Sequence, residues 1–234
     1  MADGKRRRIL HTSDLHLAST DDGACRSLQA LGELAVEAEA DLVLIAGDLF
    51  EHNRVKDNLV SFVVEQLGGL QRPIIILPGN HDCLVPDSVY YREYLWAAAP
   101  NIRVIKALPG ETLTWPDLGV TVWGKPINSY GGDLQPLAGV PPRGGEAQWH
   151  IAMAHGCYVG SAPHPYYSFQ IRQEEIVASQ RDYIALGHWA TFNCICDGSV
   201  KAYYCGSPSL LGTAAMVDLR DGTGVQVTRC CLPK

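Results

Sequence analysis

The chain has 234 residues, which suffices for one domain with a substantial buried core, and its composition is that of an ordinary globular protein. Its 19 basic and 25 acidic side chains give a formal net charge of −6, which argues against a broad basic surface that tracks a nucleic-acid backbone. No stretch approaches the roughly 20 apolar residues that cross a membrane, and no signal-peptide core follows the basic start, so we expect a cytoplasmic protein.

The first half of the chain alternates predicted strands with predicted amphipathic helices. We interpret residues 1–7 as a flexible basic arm, which takes in most of the run Lys5–Arg8. Alternating or continuous apolar runs predict three strands, at 8–13, 42–46 and 74–77. Apolar residues at helical spacing predict three helices, at 24–40, 57–70 and 90–98.

The second half consists mainly of predicted strands. Proline and glycine residues make 129–147 a long surface loop, and 174–179 is a predicted short helix. The β-like runs lie at 102–105, 112–115, 120–123, 151–154, 183–186, 201–205, 215–219 and 225–230. Asp221-Gly222 is typical of the turn of a terminal hairpin. This order favours an α/β sandwich of two sheets covered by helices, with no internal linker, and we predict a single domain over 1–234.

Side chains that commonly bind metals follow five of the predicted strands. They lie at Asp14 and His16, at Asp48, at Asn80 to Asp82, at His155 and at His188. One such group at a strand end means little, because Asp-x-His or Gly-Asp is often only a turn. The combination, in order and each at a strand end, predicts a two-metal site on the rim of a sheet.

Carboxylate, amide and imidazole ligands suit hard or borderline divalent ions, two of which lie about 3.5–4 Å apart in such sites. Asp14 and His16 stand at i and i+2 on an extended segment, so their side chains share one side and can hold one ion together. Asp48 is placed to bridge both ions, and a bridging water becomes the hydroxide nucleophile. The predicted metal ligands are Asp14, His16, Asp48, Asn80, His155 and His188.

The remaining histidines divide into candidates for chemistry and candidates for structure. His81 lies between Asn80 and Asp82 and is free to act as general acid toward the leaving oxygen. His52 lies four residues past Asp48, near enough to touch substrate, and is our candidate for substrate binding. His11 precedes the first ligand pair on a buried strand and is interpreted as structural.

These residues resemble the calcineurin-like metallophosphoesterase superfamily, whose pattern is D-x-H, G-D, G-N-H-D/E, G/A-H and G-H-x-H. The likeness is greatest to the SbcD-type DNA-repair exonuclease branch, on residues 9–17, 182–188 and 206–208. The resemblance implies a four-layer α/β/β/α sandwich and two divalent ions, with Mn²⁺ expected and Fe or Zn as alternatives. It implies that Asp14, His16 and Asp48 hold the first ion, and that the second is held by Asp48, Asn80, His155 and His188.

The sequence departs from the SbcD-type pattern in two ways. The block G-H-x-H reads Gly187-His188-Trp189-Ala190, so the second histidine, a ligand of the first ion, is replaced by Ala190, which cannot coordinate. We therefore expect weakened metal affinity at the first site, where His52 or His164 remain as substitute ligands. The sequence also ends soon after the core, so we expect no capping domain.

The leading interpretation is a metal-dependent phosphodiesterase or nuclease acting on nucleic-acid ends or smaller nucleotide diesters. One alternative is a phosphomonoesterase acting on nucleotides or small phosphorylated substrates, which the acidic balance favours. A second alternative, raised by Ala190, is a degenerate module that binds metal or phosphate without catalysis. The sequence leaves the oligomeric state open between monomer and homodimer.

Overall fold

The structure, a computed structural model, describes residues 6–21 and 23–233. The strands are β1 (Arg6–Thr12), β2 (Leu42–Ala46), β3 (Ile74–Leu77), β4 (Ile102–Val104), β5 (Glu111–Trp115), β6 (Val120–Gly124), β7 (Trp149–His155), β8 (Cys157–Gly160), β9 (Gln170–Arg172), β10 (Tyr183–Gly187), β11 (Phe192–Asp197), β12 (Lys201–Cys205), β13 (Thr213–Arg220) and β14 (Gly224–Cys231). The α-helices are α1 (Gly23–Glu37), α2 (Asp57–Gly68), α3 (Glu93–Trp96), α4 (Gln173–Ala178) and α5 (Pro208–Leu211).

Twelve of these strands form two six-stranded sheets. The first sheet has the order β14-β13-β1-β2-β3-β4, in which β1 to β4 are parallel and β13 pairs antiparallel with β1. The second sheet has the order β11-β12-β10-β7-β6-β5, with antiparallel pairs only at its two edges. Because the central strands of each sheet run parallel, their carboxyl ends lie along one edge, where open α/β sheets place ligands.

The strand β2 shows how the apolar runs create the layers. Leu42 and Leu44 pack in the core between the two sheets, whereas Val43 and Ile45 pack in the core under helices α1 and α2. The alternation follows from the two-residue period of a strand, and burial on both faces explains the uninterrupted apolar sequence. Ile176 of α4 packs on the outer face of the second sheet. The predicted α/β/β/α sandwich is confirmed.

Two sequence predictions require correction in this part of the chain. The basic arm was predicted to reach residue 7, but Arg6 and Arg7 belong to β1, because Arg6 pairs with Asp218 of β13 and the Arg7 guanidinium donates to the Leu118 carbonyl. Residues 1–5 lie outside the described residues. The helix predicted at 90–98 is a 3₁₀ turn followed by α3, and the two are separated at Arg92.

The interruption at Arg92 has a physical cause. Its guanidinium donates to the carbonyls of Val55 and Asn53 and pairs with Asp57, which ties it to the segment before α2. Its backbone lies at φ −78° and ψ 63°, outside the helical region, so the helix cannot run through it. Within the described residues, no helix combines the length and the apolar character required to cross a membrane.

Candidate metal centre

The loops that follow β1 and β2 are joined through their backbones. Asp14 N donates to Gly47 O and His16 N donates to Asp48 O, both at 3.0 Å. The loop after β10 joins them, since His188 N donates to the Asp14 carboxylate at 3.0 Å. These bonds hold the predicted ligands of three different strands at one edge of the molecule.

One group of potential ligands consists of Asp48, His155 and His188, whose ligand atoms all lie within 4.8 Å of one another. The Asn80 side-chain oxygen lies 2.9 Å from His155 Nε2 and 3.1 Å from His188 Nδ1. The structure therefore brings together all four residues predicted to hold the second ion. Their donor set of one carboxylate, one amide oxygen and two imidazoles suits a divalent transition metal.

The environment of His155 supports the fit of a cation. Its Nδ1 lies 2.9 Å from the Ala46 carbonyl oxygen, which can only accept a hydrogen, so Nδ1 carries the proton. Its Nε2 then faces two oxygens, Asp48 Oδ2 at 3.2 Å and the Asn80 amide oxygen. Burial lowers the pKa of His155, but the charge and hydrogen bond of Asp48, the Asp14 charge and the bond to the Ala46 carbonyl together raise it to about 9. This position therefore favours a positive charge, and either a proton or a metal ion can supply it.

A second group consists of His16, Asp48 and His81, again with ligand atoms within 4.8 Å. His16 Nε2 lies 3.9 Å from Asp14 Oδ1 and 3.9 Å from Asp48 Oδ2. Asp14, His16 and Asp48, the residues predicted for the first ion, therefore converge, and Asp48 is shared by both groups. A shared carboxylate is the arrangement that two adjacent ions require.

Asp14 is held in a polar but almost fully enclosed position. Its Oδ2 accepts hydrogen bonds from the Ser13 hydroxyl and the His188 backbone. Burial raises the pKa of this carboxyl group, and the nearby Asp48 charge raises it further. Two buried carboxylates this close repel each other, and divalent cations between them would remove that repulsion.

The backbone is strained at several predicted ligands. Asp14, His16 and Asp48 have φ values of 54°, 54° and 50°, and His188 has a φ of 111°. Residues other than glycine adopt positive φ rarely and at a cost, and such residues concentrate at functional sites. Four of the eight non-glycine residues with positive φ in the described chain are thus predicted ligands, and the segment 14–16 is not extended, contrary to the prediction from the sequence.

His81 is oriented by the segment after β2. Its backbone N–H donates to Asp48 Oδ1 at 2.9 Å, and its Nδ1 lies 3.0 Å from the Glu51 carbonyl oxygen, so Nδ1 carries the proton. Its ring meets the His16 ring edge to face, with centroids 4.7 Å apart. With Nδ1 occupied and the side chain 39% exposed, Nε2 is the atom available to a substrate.

Asp82 anchors the turn that carries Asn80 and His81. Its carboxylate accepts hydrogen bonds from Gly79 N, Phe50 N and the Tyr90 hydroxyl. Burial raises the pKa of Asp82 to about 6, and the neighbouring Asp48 charge contributes in the same direction. Asp82 thus fixes the turn from which Asn80 and His81 reach the centre.

The other histidines lie outside both groups. His52 belongs to neither, and its buried Nδ1 has no hydrogen-bond partner within the described chain. His164 lies on an exposed segment and packs against Tyr167. His11 is buried against the Tyr183 hydroxyl, and burial lowers its pKa to about 3, in line with a structural role.

Ala190 lies on the Asp14 side of the centre. Its carbonyl accepts a hydrogen bond from Ser207 N at 2.8 Å, and the Ser207 hydroxyl donates to the Asp14 carbonyl at 2.7 Å. Its methyl group offers no ligand atom. Neither His52 nor His164 joins the described group around His16, so the structure gives the first ion no substitute histidine from these positions.

Gly47 provides a test of how tightly the centre is built. Its φ is +92°, and a Cβ atom at this position would lie 2.0 Å from His155 Nδ1. We expect Gly47→Ala to destabilise the protein by about 1–3 kcal/mol, because the backbone is strained and the buried imidazole must move. Thermal unfolding should show a Tm lower by about 2–4 °C for each kcal/mol. Gly131→Ala is the matched control, since nothing lies within 4 Å of its position, and equal Tm values for the two variants would contradict the close packing.

Comparison with known protein families identifies this arrangement. The family description "Calcineurin-like phosphoesterase" matches residues 7–192. The chain belongs to this family. The family is one of phosphoester hydrolases, and it uses a dinuclear metal centre.

The phosphoesterase chain also resembles individual curated proteins. It is 27% identical to the DNA double-strand break repair protein Mre11 of Methanopyrus kandleri, over 77% of this chain and 44% of that protein. It is 28% identical to the uncharacterized metallophosphoesterase YhaO of Bacillus subtilis, over 77% and 48%. With a subunit of the nuclease SbcCD of Bacillus subtilis it shares 33% identity over 85 residues, 32% of this chain and 22% of that protein. The chain spans less than half the length of these relatives.

Solved structures share the fold of this phosphoesterase at low sequence identity. A dimetal phosphatase from Danio rerio aligns with a TM-score of 0.60 and 12% identity, over 97% of this chain and 99% of that one. The purple acid phosphatase PPD1 of yellow lupin aligns with a TM-score of 0.58 and 11% identity, over 97% and 52%. These likenesses show the fold alone.

Sequence reasoning missed one residue of the phosphoesterase site, Glu51. Its carboxylate lies 2.8 Å from His16 Nδ1, and its carbonyl accepts from His81, so one residue orients two histidines. A carboxylate on the far nitrogen of a metal-binding imidazole fixes its tautomer and raises its basicity. Its position three residues after Asp48, in the same loop, was the available signal.

Proposed function

We propose that this chain is a metal-dependent phosphodiesterase of the SbcD type, acting on nucleotide diesters or nucleic-acid ends. The observation that carries the proposal is the Asp48 carboxylate shared between two groups of potential ligands. In this proposal Asp14, His16 and Asp48 hold one ion, and the other is held by Asp48, Asn80, His155 and His188. Mn²⁺ is the proposed metal, and the predicted cytoplasmic location remains part of the proposal.

The ions, when bound, would supply nucleophilic water at neutral pH and offset the charge of the phosphoryl group. The first contribution of the protein itself is to hold the imidazole groups in position. His155 is fixed by the Ala46 carbonyl and His16 by Glu51, so neither imidazole needs to reorganise when the substrate arrives. In its doubly protonated form, His81 keeps its Nδ1–H on the Glu51 carbonyl and donates its Nε2 proton to the leaving oxygen as the bond to phosphorus breaks.

The direct test compares substrates that differ only in the phosphoester. Purified protein is treated with chelator, reloaded with Mn²⁺, and assayed with bis(p-nitrophenyl) phosphate and with p-nitrophenyl phosphate. We expect Mn²⁺-dependent turnover with higher kcat/KM for the diester. A preference for the monoester would make the chain a phosphomonoesterase, and bound metal without turnover of either would make it a binding module.

Ala190 yields a separate prediction about the first ion. Ala190→His should add an imidazole beside Asp14 and tighten the weaker of the two metal-binding steps by about tenfold or more, because ligand-sphere changes alter metal affinity on that order. Isothermal titration calorimetry with Mn²⁺ measures the affinity of both binding steps and the stoichiometry. Ala190→Gln gives a side chain of similar length that is a poor metal ligand. Unchanged stoichiometry and affinity in the histidine variant would contradict a weakened first site.

A further inference from the structure

A pocket of about 320 Å³ is lined by residues of β8, β11 and β12 and of the segment that follows β10. Its lining consists of Tyr158, Trp189, Thr191, Asn193, Ile195 and Tyr204. Trp189 directly follows the predicted ligand His188, and their ring centroids lie 6.4 Å apart. Tyr158 lies three residues after the predicted ligand His155. Both of these lining residues thus lie within three positions of predicted metal ligands, and Trp189 contacts such a ligand directly.

Trp189 is unusual among the tryptophans of this chain. Its side chain is 40% exposed, whereas Trp96, Trp123 and Trp149 are buried. Its indole meets the His188 ring at an interplanar angle of 89°, and its side chain reaches the Cys157 thiol. A large aromatic surface that is exposed and yet held in place is typical of a ligand contact.

The two tyrosines are rigid because their hydroxyl groups are already used. Tyr204 OH donates to the Gly156 carbonyl at 2.7 Å and accepts from Tyr158 N at 2.8 Å. Tyr158 OH donates to the Gln173 side chain at 2.8 Å. Tyr158 is partly exposed and presents its ring to a ligand, whereas Tyr204 is only 2% exposed and forms the floor of the pocket.

The rest of the lining determines the chemical class of the ligand. None of the six lining residues carries a charge, so the pocket suits a neutral group rather than a second phosphate. Thr191 and Asn193 supply exposed groups that donate and accept hydrogen bonds. Aromatic walls with a few polar groups at the edge recognise unpaired nucleobases. The volume, near the lower end for small-molecule pockets, fits a single base.

We propose that this pocket binds one nucleobase of the substrate, stacked against Trp189, while the attached phosphoryl group lies in the metal centre. The inference rests on the proposed phosphodiesterase function. The base belongs either to a nucleotide diester or to an unpaired end of a single strand. A base inside a duplex is stacked and paired, so it reaches the pocket only after extrusion.

The kinetic test uses two diesters that release the same p-nitrophenolate. Thymidine 5′-(p-nitrophenyl phosphate) carries a base, and methyl p-nitrophenyl phosphate carries none. Trp189→Ala should raise KM for the thymidine diester by about tenfold or more, as expected for loss of one base–aromatic stack, and leave the methyl diester within about twofold. Trp189→Phe should retain most of the affinity. Tyr166→Ala, which removes an exposed aromatic residue from another loop, is the control.

Three results separate failure of the pocket from failure of the proposed function. Equal KM increases for both diesters would overturn the nucleobase pocket, because the shared nitrophenyl ring would then be the occupant. Unchanged KM for the thymidine diester would also overturn it. Absence of methyl diester turnover by the parent protein would count against the phosphodiesterase function, and the pocket is then judged by binding alone.

The binding test requires no turnover. The tryptophan fluorescence of the protein, to which five tryptophans contribute, is titrated with thymidine 5′-monophosphate, with a short single-stranded oligothymidylate, and with deoxyribose 5-phosphate, which lacks a base. Saturable quenching by both thymidine compounds, absent in Trp189→Phe, supports the pocket. The compound that binds with the lower Kd identifies the source of the base. Equal quenching by deoxyribose 5-phosphate, or no quenching by any of them, overturns it.

Discussion

Asp48→Asn should abolish tight binding of both ions and lower kcat/KM by about a thousandfold. Asp48 belongs to both groups of potential ligands, so its loss affects both ions together. A metal ion supplies several kcal/mol of transition-state stabilisation, and each 1.4 kcal/mol corresponds to a tenfold change in rate. Asparagine preserves the shape and can still accept the hydrogen bond from His81 N, so the local geometry is retained.

The measurement that checks this prediction is independent of catalysis. Mn²⁺ should raise the Tm of the parent protein, because a ligand that binds only the folded state stabilises it. Asp48→Asn should lose that shift, together with metal content after dialysis. Asp57→Asn, which changes an exposed carboxylate paired with Arg92, should keep both. An undiminished Mn²⁺-induced shift in Asp48→Asn would show that Asp48 is not a shared ligand.

His81→Gln should lower kcat by about 10²–10⁴-fold while both ions remain bound, because a positioned general acid contributes on that scale. The size of the loss should depend on the leaving group. p-Nitrophenolate leaves without a proton, whereas an alkoxide needs one, so a dinucleotide should lose more activity than bis(p-nitrophenyl) phosphate. His164→Gln, on an exposed segment, is the matched control.

The competing role for His81 is that of a metal ligand, because it lies in one group with His16 and Asp48. Metal analysis distinguishes the two roles. A variant that loses one ion per chain, with equal activity losses for both leaving groups, would make His81 a ligand. A variant that keeps the metal and loses activity selectively supports the general acid.

The sequence predicted β2 and β3 with the bounds that the structure has, at Leu42–Ala46 and Ile74–Leu77. Both strands are buried on both faces, so an uninterrupted apolar run marks their full length. The strand β11 was missed because it is partly exposed along its length and has an irregular register between Cys194 and Cys196. The other edge strands, β4, β5 and β14, were predicted, so the position at a sheet edge does not by itself hide a strand.

The proximity of the predicted metal ligands could be inferred for a related reason. Each follows a strong strand signal, and parallel strands place such ends at one edge, so proximity could be inferred without coordinates. Glu51 could not be found in this way, because its role depends on a 2.8 Å contact with His16 across a turned loop. The pocket beside Trp189 could not be predicted either, because Asn193 and Ile195 of its lining lie on β11, which was not predicted from the sequence.

The predicted ligands come from both sheets, with Asp14, Asp48 and Asn80 following strands of the first and His155 and His188 following strands of the second. The hydrogen bond from His188 to Asp14 joins residues separated by 174 positions. Closing a loop of this length costs chain entropy, which the contacts formed across it must offset. Ions bound there would link the two sheets reversibly. Loss of metal in the cell would then destabilise the folded protein as well as stop its catalysis.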